Sequence, residues 1–135
     1  VMSRLQGARW IKLNEAELAL LVPQAAALQA QMQQLQQHCG AELLIVTRGA
    51  AGAMVLTSGG EEFTVVPQGL GEVIDTVGAG DAFTSVITLG LLSRWEVPLM
   101  LERDQAFASS ITRIRGATCN DPGFYQSFID HWALQ

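Results

Sequence analysis

The sequence predicts an α/β protein in which helices are layered around a sheet. Three observations predict it. Short apolar runs rich in branched residues recur at 9–13, 42–47, 53–57 and 62–66. Stretches between and after them carry apolar residues at spacings of three and four. Glycine clusters mark the junctions. The resulting order is β-α-α-β-β-β-loop-α-α-α, with no internal repeat.

Residues 9–13 are bulky and extended, and the chain turns helical from Asn14. A second helix fits 23–38: Pro23 suits a first turn, and Leu28, Met32 and Leu35 share a stripe. Its other face is mostly glutamine and reads as a solvated surface. Glu42 to Thr47 is a buried strand by length and branching. Arg48 to Gly52 turns the chain, and the strands 53–57 and 62–66 pair as a hairpin through Ser58-Gly-Gly60. A loop at 67–71 leads into extended Val73-Ile74-Asp75 and a glycine-rich segment. The helix after it places Phe83, Ile87, Gly90 and Leu91 on one stripe, and another fits 98–115 with Phe107, Ile111 and Ile114 on one face. Asp121-Pro-Gly123 breaks the chain before a final helix ending near Trp132.

With 135 residues the chain fits one domain, and 49% hydrophobic against 16% charged content supports a packed core. No apolar run approaches the ~20 residues of a membrane helix, and no signal-peptide pattern opens the sequence. A net charge of −5 argues against nucleic acid, which calls for a basic footprint. Cys39 and Cys119 form no CxxC and no metal spacing with His38 or His131. They read as small core or near-surface residues, and a reducing cytoplasm is the expected setting.

The most informative stretch is Asp75-Thr-Val-Gly-Ala-Gly-Asp81, between an extended segment and an amphipathic helix. Glycines at 78 and 80 permit close approach of a ligand to the backbone. The first N–H groups of the helix have no intrahelical partner and, with the helix dipole, make an anion hole. Asp81 would sit in the first turn, where those donors favour its ionised form and let it accept a proton. The plainer reading is a turn glycine pair with a capping aspartate. A dinucleotide fingerprint, and with it an oxidoreductase, is disfavoured because Phe83 stands where Gly or Ala is needed.

Asp75 through Phe83 resembles the second signature of the ribokinase (PfkB) carbohydrate kinases. The resemblance implies that Asp81 is the base that deprotonates a sugar hydroxyl, and that the backbone of Gly78, Ala79 and Gly80 forms the anion hole. It assigns Asp75 and the Val77 carbonyl to a monovalent cation such as K⁺. Asn14-Glu-Ala-Glu17 resembles the family's Asn-x-x-Glu pattern, which implies that Asn14 and Glu17 organise Mg²⁺ and phosphate, largely through water; the same spacing is a capping box. Thr47-Arg48-Gly49-Ala-Ala-Gly52 resembles the strand-end loop that contacts ATP phosphates, though a lone exposed Arg48 also fits a solvated charge. Residues 106–117 resemble the late helix that walls the adenine pocket, with Gln105 where many relatives carry Asn; plain core packing is the preferred reading of Phe107, Ile111 and Ile114. Ser85 stands where relatives commonly carry Gly.

The implied fold is a ribokinase-like three-layer α/β/α sandwich, with a mostly parallel sheet and a β-hairpin at one edge. Residues 1–135 correspond to its C-terminal, ATP-binding and catalytic portion; the sugar-binding part and the lid are not in the sequence. The implied activity is ATP-dependent phosphorylation of a sugar, by the complete enzyme and not by these residues alone. Uncovered sheet edge and apolar surface predict a homo-oligomer. The alternative is a catalytically inactive remnant that serves as a nucleotide-binding or oligomerisation module.

Overall fold

The computed structural model describes residues 2–66, 78–111, 113–114 and 119–134. These fall into two compact units, divided after Val66.

The first unit is a four-stranded sheet backed by helices. Its strands are β1 (Trp10–Asn14), β2 (Leu43–Thr47), β3 (Ala53–Thr57) and β4 (Glu62–Val65), in the spatial order β1-β2-β3-β4. β1 and β2 run parallel, and β2, β3 and β4 follow as antiparallel neighbours, so the expected hairpin forms one edge of a mixed sheet. Parallel strands need a crossover. Here it is supplied by α2 (Glu15–Leu21) and α3 (Leu28–Cys39).

Strand alternation sends Ile11, Leu13, Leu44, Val46, Met54 and Leu56 to one face. There they form a continuous core with Leu18 and Val22 from the α2 end and Met32, Leu35 and Cys39 from α3. On the opposite face Leu43, Ile45, Ala53 and Val55 are buried too. Burial also pushes the Cys39 thiol above its ordinary pKa.

Three expectations change in this unit. A four-residue helix, α1 (Met2–Leu5), precedes the first strand; it is too short to show periodicity, and Met2 and Leu5 pack on the core. The helix expected over 23–38 begins at Leu28. Val22 ends α2 by donating to the Leu18 carbonyl, and the buried Gln31 amide donates to the Val22 carbonyl at 3.1 Å, so residues 23–27 cross between two helices as a turn. Nor is the glutamine face simply solvated. Gln36 donates to the Ala41 and Leu56 carbonyls at 3.3 Å, and Gln29 to Glu62 at 2.9 Å.

The second unit contains α4 (Ala79–Leu92), α5 (Val97–Ile111) and α6 (Pro122–His131). α4 and α5 pack closely at Gly90, where an added Cβ would lie 2.6 Å from Met100 Cγ. Phe83, Ile87 and Gly90 are buried as their stripe predicts. α5 stops at Ile111, short of the expected 115, and Ile114 lies in the turn that follows. α6 starts as its sequence directs: Asp121 accepts from the Gly123 N–H at 2.9 Å, and Pro122 fills the first position. Phe107 of α5, half-buried, packs against Phe124, Phe128 and Trp132, and Ile111 is buried, in keeping with a packing role for this face. Arg103 lies 4.1 Å over the Trp95 ring and 5.7 Å over Trp132.

Candidate functional site

Parallel pairing in register brings two of the sequence motifs to one place. Asn14, last in β1, is the partner of Thr47, last in β2. The Asn14–Glu17 turn and the Thr47–Gly52 loop therefore share the carboxyl end of the β1–β2 pair, where open α/β sheets bind ligands.

The Asn14 side chain accepts from the Glu17 N–H and the Glu17 carboxylate accepts from the Asn14 N–H, both at 2.8 Å. This is a complete capping box, so the structural reading of the motif holds in full. It engages Glu17 Oε2, and no described residue bonds to Oε1.

The Thr47 hydroxyl reaches back to the Leu13 carbonyl at 3.5 Å. A single turn of 3₁₀ helix, Gly49–Ala51, follows, fixed by bonds from the Arg48 N–H to the Gly52 carbonyl (2.7 Å) and from the Gly52 N–H to the Gly49 carbonyl (3.0 Å). Gly52, at φ 88° and ψ −132°, occupies a region that side chains do not tolerate. Arg48 is not simply solvated: its Nε donates to Glu15 Oε1 at 3.0 Å.

In the second unit, Gly78 precedes α4 with φ 85°. The first described i→i−4 bond of the helix runs from the Ala82 N–H to the Gly78 carbonyl, so the amides of residues 79–81 lie ahead of the intrahelical ladder. Gly78 has no side chain with which to cap them. An added Cβ at Gly80 would meet no described residue within 4 Å, so the backbone there is open on that side among the described residues. Asp81 is exposed in the first turn, and no described residue bonds to its carboxylate. The hydroxyls of Thr84 and Ser85 bond back to the Gly80 and Asp81 carbonyls, each at 2.8 Å.

Asp75, Val77, the extended segment 73–75 and Gly116-Ala117 lie outside the described residues. Gln105 is partly buried on α5. Among the described residues no group of three or more His, Cys, Asp or Glu side chains could hold a metal ion, and no helix is long and apolar enough to cross a membrane. Residues of α4, α5 and α6 also line an open apolar hollow of about 180 Å³, with Leu89, Phe107, Phe128 and Trp132 among its walls and none of the predicted site residues. Sequence reasoning missed the partner of Arg48. Glu15 lies inside a recognised motif, but only strand register reveals that it meets a side chain 33 positions away.

The sequence matches the pfkB family carbohydrate kinases over residues 1–122. It is 40% identical over 83 residues to the ATP-dependent 6-phosphofructokinase of Thermoanaerobacterium thermosaccharolyticum, covering 62% of this chain and 25% of that protein. Phosphofructokinase-2 from Escherichia coli, solved in complex with potassium, superposes with a TM-score of 0.76 at 23% identity, over 96% of this chain and 43% of that one. Ribokinase from Thermotoga maritima superposes with a TM-score of 0.78 at 17% identity, over 96% and 45%. These two likenesses establish a ribokinase-like α/β fold. The chain covers 23–25% of the length of the first curated relatives it matches. A family match over residues 1–122, carried on a fold shared with ribokinase, makes this chain a member of the pfkB family of carbohydrate kinases.

Proposed function

We propose that the chain is the nucleotide-binding and catalytic portion of an ATP-dependent sugar kinase, with Asp81 as the general base. The observation that carries this reading is the start of α4: an exposed Asp81 carboxylate in the first turn, directly after a glycine-bounded stretch of helix N-terminal amides. Phosphoryl transfer passes through a loose transition state in most analyses, so fixed donors and correct placement count for more than strong basicity. Asp81 takes the proton of the sugar hydroxyl as that oxygen bonds to the γ-phosphorus. The bond to the β–γ bridging oxygen breaks, and ADP departs. Amides of Gly78, Ala79 and Gly80 donate to the transferring phosphoryl oxygens. Open space at Gly80 among the described residues supports this role, since a ligand must approach the backbone there.

Thr47, Arg48, Gly49 and Gly52 contact the nucleotide phosphates in this reading, and Gln105 borders the base. Mg²⁺, when bound, would neutralise phosphate charge. Asn14 and Glu17 would hold it, largely through water, in keeping with its preference for a retained hydration shell and with Glu17 Oε1, to which no described residue bonds. Asp75 and the Val77 carbonyl would hold a monovalent cation, K⁺. The protein is cytoplasmic and forms homo-oligomers, in line with the exposed Trp10 and Leu20 side chains.

The test has two arms. In an enzyme carrying the complete sugar site, Asp81→Asn lowers kcat by about 10²–10⁴-fold and leaves ATP affinity intact; unchanged turnover would remove Asp81 from the chemistry. The 135-residue chain, titrated with ATP with and without Mg²⁺, binds saturably and weakly but phosphorylates no sugar. A purely structural module would show no saturable binding, and robust turnover by the chain alone would refute the division of labour.

A further inference from the structure

We propose that Glu15 is a positioning residue: it holds the Arg48 guanidinium by Nε so that the terminal nitrogens face the nucleotide phosphates. The inference rests on the nucleotide reading above and adds to it a residue to which the motifs assign no role.

The geometry follows from register. Because Asn14 and Thr47 are partners across the parallel pair, the next residues, Glu15 and Arg48, leave the sheet side by side. Glu15 is the first residue of α2, and Arg48 is locked at the base of a tight loop by its own N–H and carbonyl, which bond to Gly52 and Ala51 at 2.7 and 3.1 Å. Both Cα positions are therefore fixed by secondary structure. What remains free is a long arginine side chain, and Glu15 Oε1 restrains it at 3.0 Å.

The mode of contact matters. A guanidinium carries five N–H donors in a rigid fork. Glu15 accepts one, from Nε, and no described residue bonds to the Nη groups. The same strand pair provides its own control at the opposite end. There Glu42 takes both Nε (2.9 Å) and Nη2 (2.8 Å) of Arg9, the closed two-point arrangement of a purely internal pair. The two pairs also differ in setting: Arg48 is 30% exposed and Arg9 68%. A single-point hold on Nε is the arrangement that leaves an arginine able to grip an anion.

The carboxylate of Glu15 also has a cost near phosphate, since like charges repel. That opposition makes the experiment decisive in sign. If Glu15 acts only by its charge, Glu15→Gln tightens ATP; if it positions Arg48, the same change loosens ATP.

Calorimetric titration of the 135-residue chain with Mg·ATP, and separately with adenosine, tests this. Arg48→Ala is expected to weaken ATP about tenfold or more and leave adenosine unchanged. Glu15→Gln is expected to weaken ATP about three- to tenfold, and to have no further effect on top of Arg48→Ala. Combining Glu15→Arg with Arg48→Glu restores an ion pair and the thermal midpoint but not ATP affinity. The proposal is overturned by tighter ATP binding in Glu15→Gln, by equal losses in both backgrounds, by equal loss of adenosine, or by ATP affinity returning in the charge swap. If the unaltered chain shows no saturable ATP binding, the nucleotide reading itself fails; saturable binding with additive losses removes the Glu15 coupling alone.

Discussion

The two ends of the β1–β2 pair use the same residue types to different ends. At the amino end Glu42 and Leu43 donate their N–H groups to the Arg9 carbonyl, and Arg9 and Glu42 close on each other. There the two charged side chains engage each other at two points. At the carboxyl end the chain also satisfies itself at the helix start, through Asn14 and Glu17, but it keeps a glycine-shaped loop and a half-engaged arginine beside that cap. Parallel strands point their last residues, the loop that follows and the next helix start toward one edge, so that edge collects donors. What the comparison teaches is that an ion pair's meaning lies in its position on the sheet and in how many of its donors remain, not in its presence.

The sharpest way to break this contrast is at Gly52. Its φ of 88° with ψ −132° is open only to glycine, so Gly52→Ala forces the loop to rebuild at a cost of about 1–3 kcal/mol. The expected result is a lower urea midpoint together with a loss of ATP affinity, because the Arg48 N–H to Gly52 carbonyl bond holds the loop that presents Arg48. Unchanged stability would show that the loop relaxes freely and that its shape is not imposed by the sheet. Unchanged ATP affinity in a destabilised variant would separate the loop's structural part from ligand contact.

Much of this corner was legible in the sequence. The branched run Leu43 to Thr47, the hairpin through Ser58-Gly-Gly60 and the Asn14–Glu17 spacing are each local patterns, and the structure reproduces them with boundaries shifted by a residue or so. At the start of α4, the glycines and Asp81 likewise declare a turn and a helix without reference to the rest of the chain. What could not be read depends on distant partners. Pro23 suits the first turn of a helix in isolation, yet α3 begins at Leu28 because the Gln31 side chain claims the Val22 carbonyl across the connecting turn. A glutamine stripe looks solvated until β4 brings Glu62 beneath Gln29. Asp104, buried within α5, is likewise invisible to a helical pattern that expects a charged residue outside. The catalytic reading of Asp81 came from a motif, and what the fold adds is its exposure and, among the described residues, the open space at Gly80.

A smaller effect is expected at the cap. Asn14→Ala removes the acceptor for the Glu17 N–H and should cost about 1 kcal/mol, within a range of about 0.5–2. Asn14→Asp keeps an acceptor at the same place and should recover most of that loss in a thermal melt. If the alanine variant melts with the parent, the capping box does not support α2. If Asn14→Asp recovers stability but Mg·ATP binding stays impaired, the amide has a second task beyond the cap.

The smallest effect belongs to the amino end, and its sign can be worked out. The Arg9 hydrogen bond holds the Glu42 carboxyl below its ordinary pKa. A carboxylate with a depressed folded-state pKa contributes stability above its unfolded value, and that contribution is lost as pH falls through the folded one. The pair is exposed to solvent, so the contribution at neutral pH is slight and is screened further by salt. The melting difference between the parent and Glu42→Gln should therefore be small at pH 7 and vanish as the solution is acidified through the glutamate range. ATP affinity should not move at all. A change in ATP affinity from Glu42→Gln comparable to that from Glu15→Gln would mean that charge anywhere near these strands tunes binding, and the distinction between the two ends would be lost.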